Sequence, residues 1–203
     1  MEIKEQTPAD LVEYARIPIA FEVMSRYRVE ALQNGLAGLA LIEEPVTPYR
    51  KDYDAIPNEG PLHWAAQWDL SRWGLFAAFE DGERIGGAAI SRQSEVLSAL
   101  EGHADWAALW DLRVRPDYRG QGVGHRLFAA ALAWARTAGC RRLLIETQNI
   151  NVPACRFYTR QGCILSAVDP YAYGPSLDEV RLLWSYDLGP ENTLAPPSRM
   201  LGE

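Results

Sequence analysis

The stretch Arg119-Gly120-Gln121-Gly122-Val123-Gly124 constrains the rest of the chain most. It follows Leu112-Arg113-Val114-Arg115, which reads as a strand end, and Pro116-Asp117-Tyr118, which reads as a turn. From Arg126 to Ala135 the apolar spacing reads as a helix. Strand, glycine loop and helix N-terminus in succession aim several unpaired N–H groups at one point, with the helix dipole behind them. Glycine permits positive φ and lets a ligand come close to the backbone. With the fixed charge of Arg119 added, the arrangement suits an anion, most naturally a phosphate or pyrophosphate. The plainer reading is a loop that only starts a helix. It is not a Walker loop, because no Lys-Ser/Thr follows Gly124, and Leu127 stands where a dinucleotide fingerprint would carry its third glycine.

The surroundings of that loop narrow the classes further. A chain of 203 residues, 48% hydrophobic and 23% charged, suits one compact domain with a sizeable core and excludes wholesale disorder. A net charge of −7 argues against nucleic acid, which needs clustered Lys and Arg, and permits a cationic substrate. The three cysteines, Cys140, Cys155 and Cys163, form no Cys-x-x-Cys pair and read as free thiols in a reducing compartment. The three histidines show no metal-ligand spacing, so no metal is expected. With no secretory segment and no apolar run near membrane-spanning length, the chain reads as cytoplasmic, with no membrane partner.

In chain order, residues 1–16 are polar, with a short helix expected after Thr7-Pro8. Residues 17–30 alternate as a strand, Asn34-Gly35 turns, and 36–46 reads as the returning strand. Residues 45–61, rich in Pro, Tyr and charge, are expected to be irregular. A short helix is expected around Trp64–Leu70, and Trp64, Trp68 and Trp73 read as packing, with a pocket wall as the other reading. Strands are expected at 75–79 and 84–90 around an Asp81-Gly82 hairpin turn, then a connector over 91–106 and a strand over 107–114. The helix from Gly122 to Ala138 puts Val123, Leu127, Ala131 and Trp134 on one stripe, and Gly139 ends it. Residues 141–147 form a strand, and Asn151 is a candidate N-cap with Pro153 in the first turn of a helix over 152–161. Strands follow at 163–168 and 180–187, and a loose tail is expected over 189–203. The class is therefore α/β (α+β), one domain over 1–188 with a mixed, mostly antiparallel sheet.

The second half carries a specific pattern: Asp111-Leu-Arg-Val, the Arg119–Gly124 loop, Glu146-Thr-Gln-Asn-Ile-Asn-Val-Pro-Ala-Cys-Arg-Phe-Tyr158, then Gly162. It closely resembles the GNAT N-acetyltransferase superfamily. The run from Glu146 to Tyr158 resembles the streptothricin acetyltransferase branch in particular. Phe21-Glu22-Val23, Pro48-Tyr-Arg-Lys-Asp-Tyr53, Val168-Asp169, Tyr173 and Asp178-Glu-Val…Trp184 follow that branch's order. The resemblance is strong over 107–162 and looser before. Two departures touch the acceptor: Trp110-Asp111 leaves one acid where the branch often has a pair, and 54–74 carries tryptophans in place of an acidic run.

The resemblance implies an acyl-CoA N-acyltransferase fold whose sheet splays between the strand ending at Val114 and the strand 141–147. It implies acetyl-CoA as co-substrate. The pyrophosphate is expected on the N–H groups of Gln121, Gly122, Val123 and Gly124, beside Gly120 and Arg119. Backbone groups near Leu112 and Val114 are expected to hold the pantetheine arm and polarise the thioester carbonyl, where charge develops in the transition state. Asn151 is expected on the same arm. Tyr158 matches the general acid for the leaving thiolate, since a phenol stays protonated at neutral pH. Asp111 and Glu146 are the candidate bases, directly or through water. Asp178, Glu179, Tyr171 and Tyr173 are candidates for holding a cationic acceptor. The expected acceptor is a small-molecule primary amine of streptothricin type. A polyamine, a peptide lysine or a non-catalytic CoA-binding module is the alternative, and the resemblance also admits a homodimer.

Overall fold

The computed structural model describes residues 1–92, 103–174 and 177–189. Most of the expected connector after Ser91 and the expected tail lie outside them. Nine strands are described: β1 (Glu2–Gln6), β2 (Phe21–Ala31), β3 (Leu39–Lys51), β4 (Trp73–Glu80), β5 (Glu83–Ser91), β6 (Trp106–Val114), β7 (Arg142–Gln148), β8 (Ile164–Asp169) and β9 (Arg181–Asp187). The helices are α1 (Leu11–Tyr14), α2 (Pro61–Gln67), α3 (Val123–Thr137) and α4 (Val152–Arg160). Seven strands form one mixed sheet in the order β1-β4-β5-β6-β7-β9-β8, and β2 and β3 form a separate ribbon. Among the seven, only β6 and β7 run parallel. A parallel pair needs a long crossover, and α3 supplies it.

Sequence dictates most of this locally. Asp81 and Gly82 both take positive φ, +49° and +83°, the backbone of a tight hairpin between β4 and β5. On α3, Val123, Leu127, Phe128, Ala131, Leu132 and Ala135 are buried against the sheet, while Trp134, expected on that stripe, is only half-buried. Gly139, at φ +77°, ends the helix. Cys140, Cys155 and Cys163 are all buried and unpaired. Burial pushes the Cys155 thiol up to about 11 and the Cys163 thiol up to about 12, so neither is a thiolate near neutral pH.

Two local expectations are corrected. The polar residues Glu2–Gln6 form an edge strand on β4, joined by main-chain pairing that needs no apolar side chains. The segment expected to be irregular from Pro45 is strand as far as Lys51. Its prolines are tolerated because a two-stranded ribbon leaves one edge of β3 without donors to satisfy. The tryptophans resolve as packing: Trp64 and Trp73 are buried with Leu11, Tyr14 and Leu70, and Trp68 and Trp110 pack against that cluster.

Neighbours crowd both faces of the sheet at Gly86 and Gly87. A Cβ on Gly86 would lie 2.9 Å from Leu127 of α3, and one on Gly87 would overlap the Tyr14 ring on the opposite face. Gly87→Ala is therefore expected to displace Tyr14 and to cost about 1–3 kcal/mol. A urea melt checks this, and an unchanged midpoint would contradict the packing.

Candidate active site

The site begins where β6 and β7 part. They pair only from Trp106↔Arg142 to Leu109↔Ile145, after which the strands diverge. The cause lies in β6. Against β5, Ala89 faces Asp111 and the next residue, Ile90, faces Leu109, so Trp110 is an extra residue. Such a bulge bends its strand and increases its twist, which steers the end of β6 away from β7.

At one side of that gap lies the glycine loop. Gly120 and Gly122 take φ of +78° and +85°, and a Cβ on either would meet nothing within 4 Å. Gly122 is the N-cap of α3, and no side chain caps the helix. The first-turn N–H groups are thus left to an outside acceptor. Arg119 donates from Nε to the Val114 carbonyl at 3.0 Å and from Nη2 to the Ala20 carbonyl at 3.1 Å, which anchors the loop to β6. Burial pulls its guanidinium below the usual value. Beside it opens a cavity of about 340 Å³ lined by Pro18, Phe21, Glu22, Arg50, Pro116 and Arg119. An open positive-φ cradle, an uncapped helix start and two guanidinium groups fit a pyrophosphate.

Across the gap, α4 carries Asn151 and Tyr158. Asn151 is the N-cap, accepting from the Ala154 N–H at 3.2 Å. Tyr158 is buried against Phe128 and Phe157, and its hydroxyl has no hydrogen-bond partner among the described residues. Burial first, and then nearby Cys163 and Asp111, push its phenol well above the ordinary value.

The model of the acetyltransferase (GNAT) family matches residues 39–163. The chain belongs to the GNAT acetyltransferase family. Streptothricin acetyltransferase A of Bacillus subtilis is 39% identical over 99 residues, which is 46% of this chain and 57% of that protein. A streptothricin acetyltransferase from Escherichia coli is 30% identical over 136 residues, 67% of each chain. Among solved structures, a Bacillus anthracis protein provisionally assigned as a streptothricin acetyltransferase, in complex with acetyl coenzyme A, superposes with a TM-score of 0.73. It is 25% identical and the alignment covers 92% of this chain and 98% of that one. Nourseothricin acetyltransferase superposes with a TM-score of 0.70 at 27% identity, with the same coverage. Acetyl-CoA-dependent N-acetyl transfer is the activity class that GNAT membership carries, and the mixed seven-stranded sheet is its fold.

The GNAT site separates the candidate acids. The Oδ1 of Asp111 accepts from Tyr14 at 2.6 Å and from Arg113 Nε at 2.9 Å, and its Oδ2 accepts from Arg113 Nη2 at 2.6 Å. Arg113 also holds Asp54 through both nitrogens, at 2.8 and 3.1 Å, and the Ile17 carbonyl at 3.0 Å. Burial pulls the Arg113 guanidinium down, but the carboxylates beside it outweigh that and hold it above its usual value. This buried cluster ties β6 to the segments before β2 and after β3. It commits both oxygens of Asp111, a candidate base, to cationic and phenolic donors.

Glu146 is placed otherwise. It stands on the half-buried face of β7 with Gln148, while Ile145 and Thr147 are buried on the other. Its Oε1 accepts from Tyr173 at 2.8 Å, and Arg181 approaches Oε2 at 3.8 Å. The remaining acceptor-side candidates divide. Glu179, with a side chain only 10% exposed, is paired with Lys51 at 2.5 Å, and Asp178, 91% exposed, is paired with Arg26 at 2.5 Å. Both carboxylates clasp the β2–β3 ribbon and so are engaged by the chain's own cations. Tyr171 is 85% exposed and stands apart from the Glu146 cluster.

Two further residues have structural roles that the sequence reading does not assign. Asn149, buried, donates to the Tyr27 carbonyl at 2.8 Å and accepts from the Val180 N–H at 2.9 Å. Its main chain also takes the Tyr27 N–H at 2.9 Å and donates to the Val180 carbonyl at 2.9 Å. This one residue fastens the ribbon over the face that bears Glu146. The second is Tyr53, whose hydroxyl donates to Gln148 at 2.5 Å. In sequence both lie in motifs shared with the streptothricin acetyltransferase branch, but no role attaches to either.

Proposed function

We propose that this GNAT chain acetylates a primary amine of a streptothricin-type antibiotic. The observation that carries the reading is the gap between β6 and β7, bounded by the open glycine cradle on one side and by Glu146 with Tyr173 on the other. The relatives named for streptothricin supply the substrate class. When bound, acetyl-CoA supplies an activated acetyl group at that gap. In this reading the N–H groups of Gln121, Gly122, Val123 and Gly124 hold the pyrophosphate, with Arg119 and Gly120 shaping the loop. Backbone groups of Leu112 and Val114 line the thioester end on the β6 side. The Val114 carbonyl is already bonded to Arg119, so its N–H is the group left for this. Asn151 caps α4 through Oδ1 and bonds Tyr53 through its amide, which leaves one amide N–H for the pantetheine arm.

The reaction needs one proton removed from the attacking ammonium and one returned to the leaving sulfur. Glu146 takes the first, directly or through a water, because it is the half-buried carboxylate at the open gap. Tyr158 gives the second, because burial keeps its phenol protonated. The protein provides a positioned acid, a positioned base and fixed dipoles, and attack occurs with both substrates bound.

Release of CoA thiol with acetyl-CoA and a panel of streptothricin, polyamines and lysine peptides tests the substrate. Turnover of streptothricin alone is the expected result, and turnover of only the other amines would remove the antibiotic while keeping the chemistry. Gly122→Val tests the cradle. A β-branched residue at φ +85° is strained, and its methyls fill the open space. Calorimetric acetyl-CoA binding should weaken at least tenfold in that variant, and wild-type heats would contradict the assignment.

A further inference from the structure

Four half-buried side chains form one continuous hydrogen-bonded chain along the face of β7. Tyr53 donates to Gln148 Oε1 at 2.5 Å, Gln148 Nε2 donates to Tyr173 at 2.8 Å, and Tyr173 donates to Glu146 Oε1 at 2.8 Å. Every donor points toward Glu146. A phenol has one proton, so the direction of the chain settles what Tyr53 has left to offer. Its O–H is committed to Gln148 and the Asn151 amide bonds its oxygen, which leaves one lone pair for a further donor. Tyr53 is therefore an acceptor toward the gap, like the Glu146 carboxylate at the other end of the chain.

Its place in the fold puts that acceptor beside the reaction centre. Tyr53 is close enough to Tyr158 to oppose its ionisation, and the Asn151 side chain hydrogen-bonds the Tyr53 oxygen, which favours the phenolate form. The net effect on Tyr53 is upward, led by burial and followed by the Glu179 charge, so the phenol remains intact around neutral pH. The cation nearest its ring, Lys51 at 5.5 Å from the centroid, is neutralised by Glu179 at 2.5 Å. An incoming ammonium would thus meet an oxygen lone pair and carboxylate, with Lys51 paired to Glu179 and Arg181 paired to Asp169.

Resting on the reading of this gap as the acetyl-acceptor site, we infer that Tyr53 is a specificity-determining residue that accepts an N–H hydrogen bond from the substrate amine. Gln148 is the positioning residue that turns the Tyr53 oxygen outward by taking its proton.

Steady-state kinetics of Tyr53→Phe, Gln148→Leu and the double variant test this, with each substrate varied in turn. Phenylalanine keeps the ring contacts with Phe21, at 5.9 Å, and with Lys51, so the fold is expected to persist. Loss of one hydrogen bond to a charged donor should raise the amine KM about tenfold or more. KM for acetyl-CoA, and kcat, should stay within about twofold of wild type. Gln148→Leu should show the same selective rise, and the double variant should be no worse than the poorer single, because both remove one contact. An unchanged amine KM in Tyr53→Phe would overturn the inference while leaving the acetyltransferase reading intact. Equal rises in both KM values would also overturn it, because they would mark a structural residue. Wild-type protein that turns over no amine in the panel would overturn the acceptor-site reading, and this inference with it.

Discussion

Tyr158→Phe should lower kcat ten- to a hundredfold or more while leaving acetyl-CoA affinity nearly unchanged. The substitution removes one oxygen and keeps the ring that packs against Phe128 at 6.1 Å and Phe157 at 5.1 Å, so the core loses little. On the proposed role, what is lost is the proton donor to the leaving sulfur, an interaction made only as the bond breaks. Removing such an interaction lowers kcat and kcat/KM together and spares ground-state binding. The hydroxyl has no partner among the described residues, so no second bond is broken when it goes. The pH profile adds a second readout. Burial raises the Tyr158 phenol, so its acid form persists as pH rises past the ordinary phenol value near 10. A limb set by Tyr158 should therefore lie above that value, and the profile of Tyr158→Phe should lack it. Wild-type kcat in the variant would remove Tyr158 from the role.

How far the site was legible follows from which signals are local. The glycine loop could be read because three glycines, an arginine and a helix start are contiguous, and their physics needs no distant partner. The run from Glu146 to Tyr158 was legible for the same reason: strand, Asn cap and helix are successive. The β6 bulge was not, because alternation alone predicts that Trp110 and Asp111 face opposite sides. One extra residue puts both toward the cluster that holds Tyr14, Trp68 and Trp73. β1 stayed hidden because Glu2–Gln6 earns its place by main-chain bonds to β4, which leave no apolar signature. Asn149, Tyr53 and Tyr14 act on partners 31 to 122 residues away. Nothing in the flanking sequence announces such partners, and only the folded sheet brings them to one face.

The buried cluster around Arg113 yields the largest expected loss of stability. Arg113→Met should destabilise the protein by about 3–5 kcal/mol, because it removes every cationic donor from Asp111 and leaves a buried carboxylate with only the Tyr14 hydroxyl. It also frees Asp54 and the Ile17 carbonyl, the links that draw the flanking segments onto β6. Asp111→Asn is the informative companion. As a member of a structural cluster, Asp111 should lose stability on substitution while the folded protein keeps kcat within a few-fold. As the base for the substrate amine it would show the reverse, with a normal urea midpoint and a collapse in kcat. Double-mutant comparison sharpens the distinction. Once Arg113 is methionine, neutralising Asp111 removes the unpaired charge, so Arg113→Met/Asp111→Asn should be more stable than Arg113→Met alone. Strict additivity would mean that the two side chains do not share their energy, and the cluster would then not argue against Asp111 as the base. The expected non-additivity would support the proposal that Glu146, the half-buried carboxylate joined to Tyr173 on β7, is the base for the incoming amine.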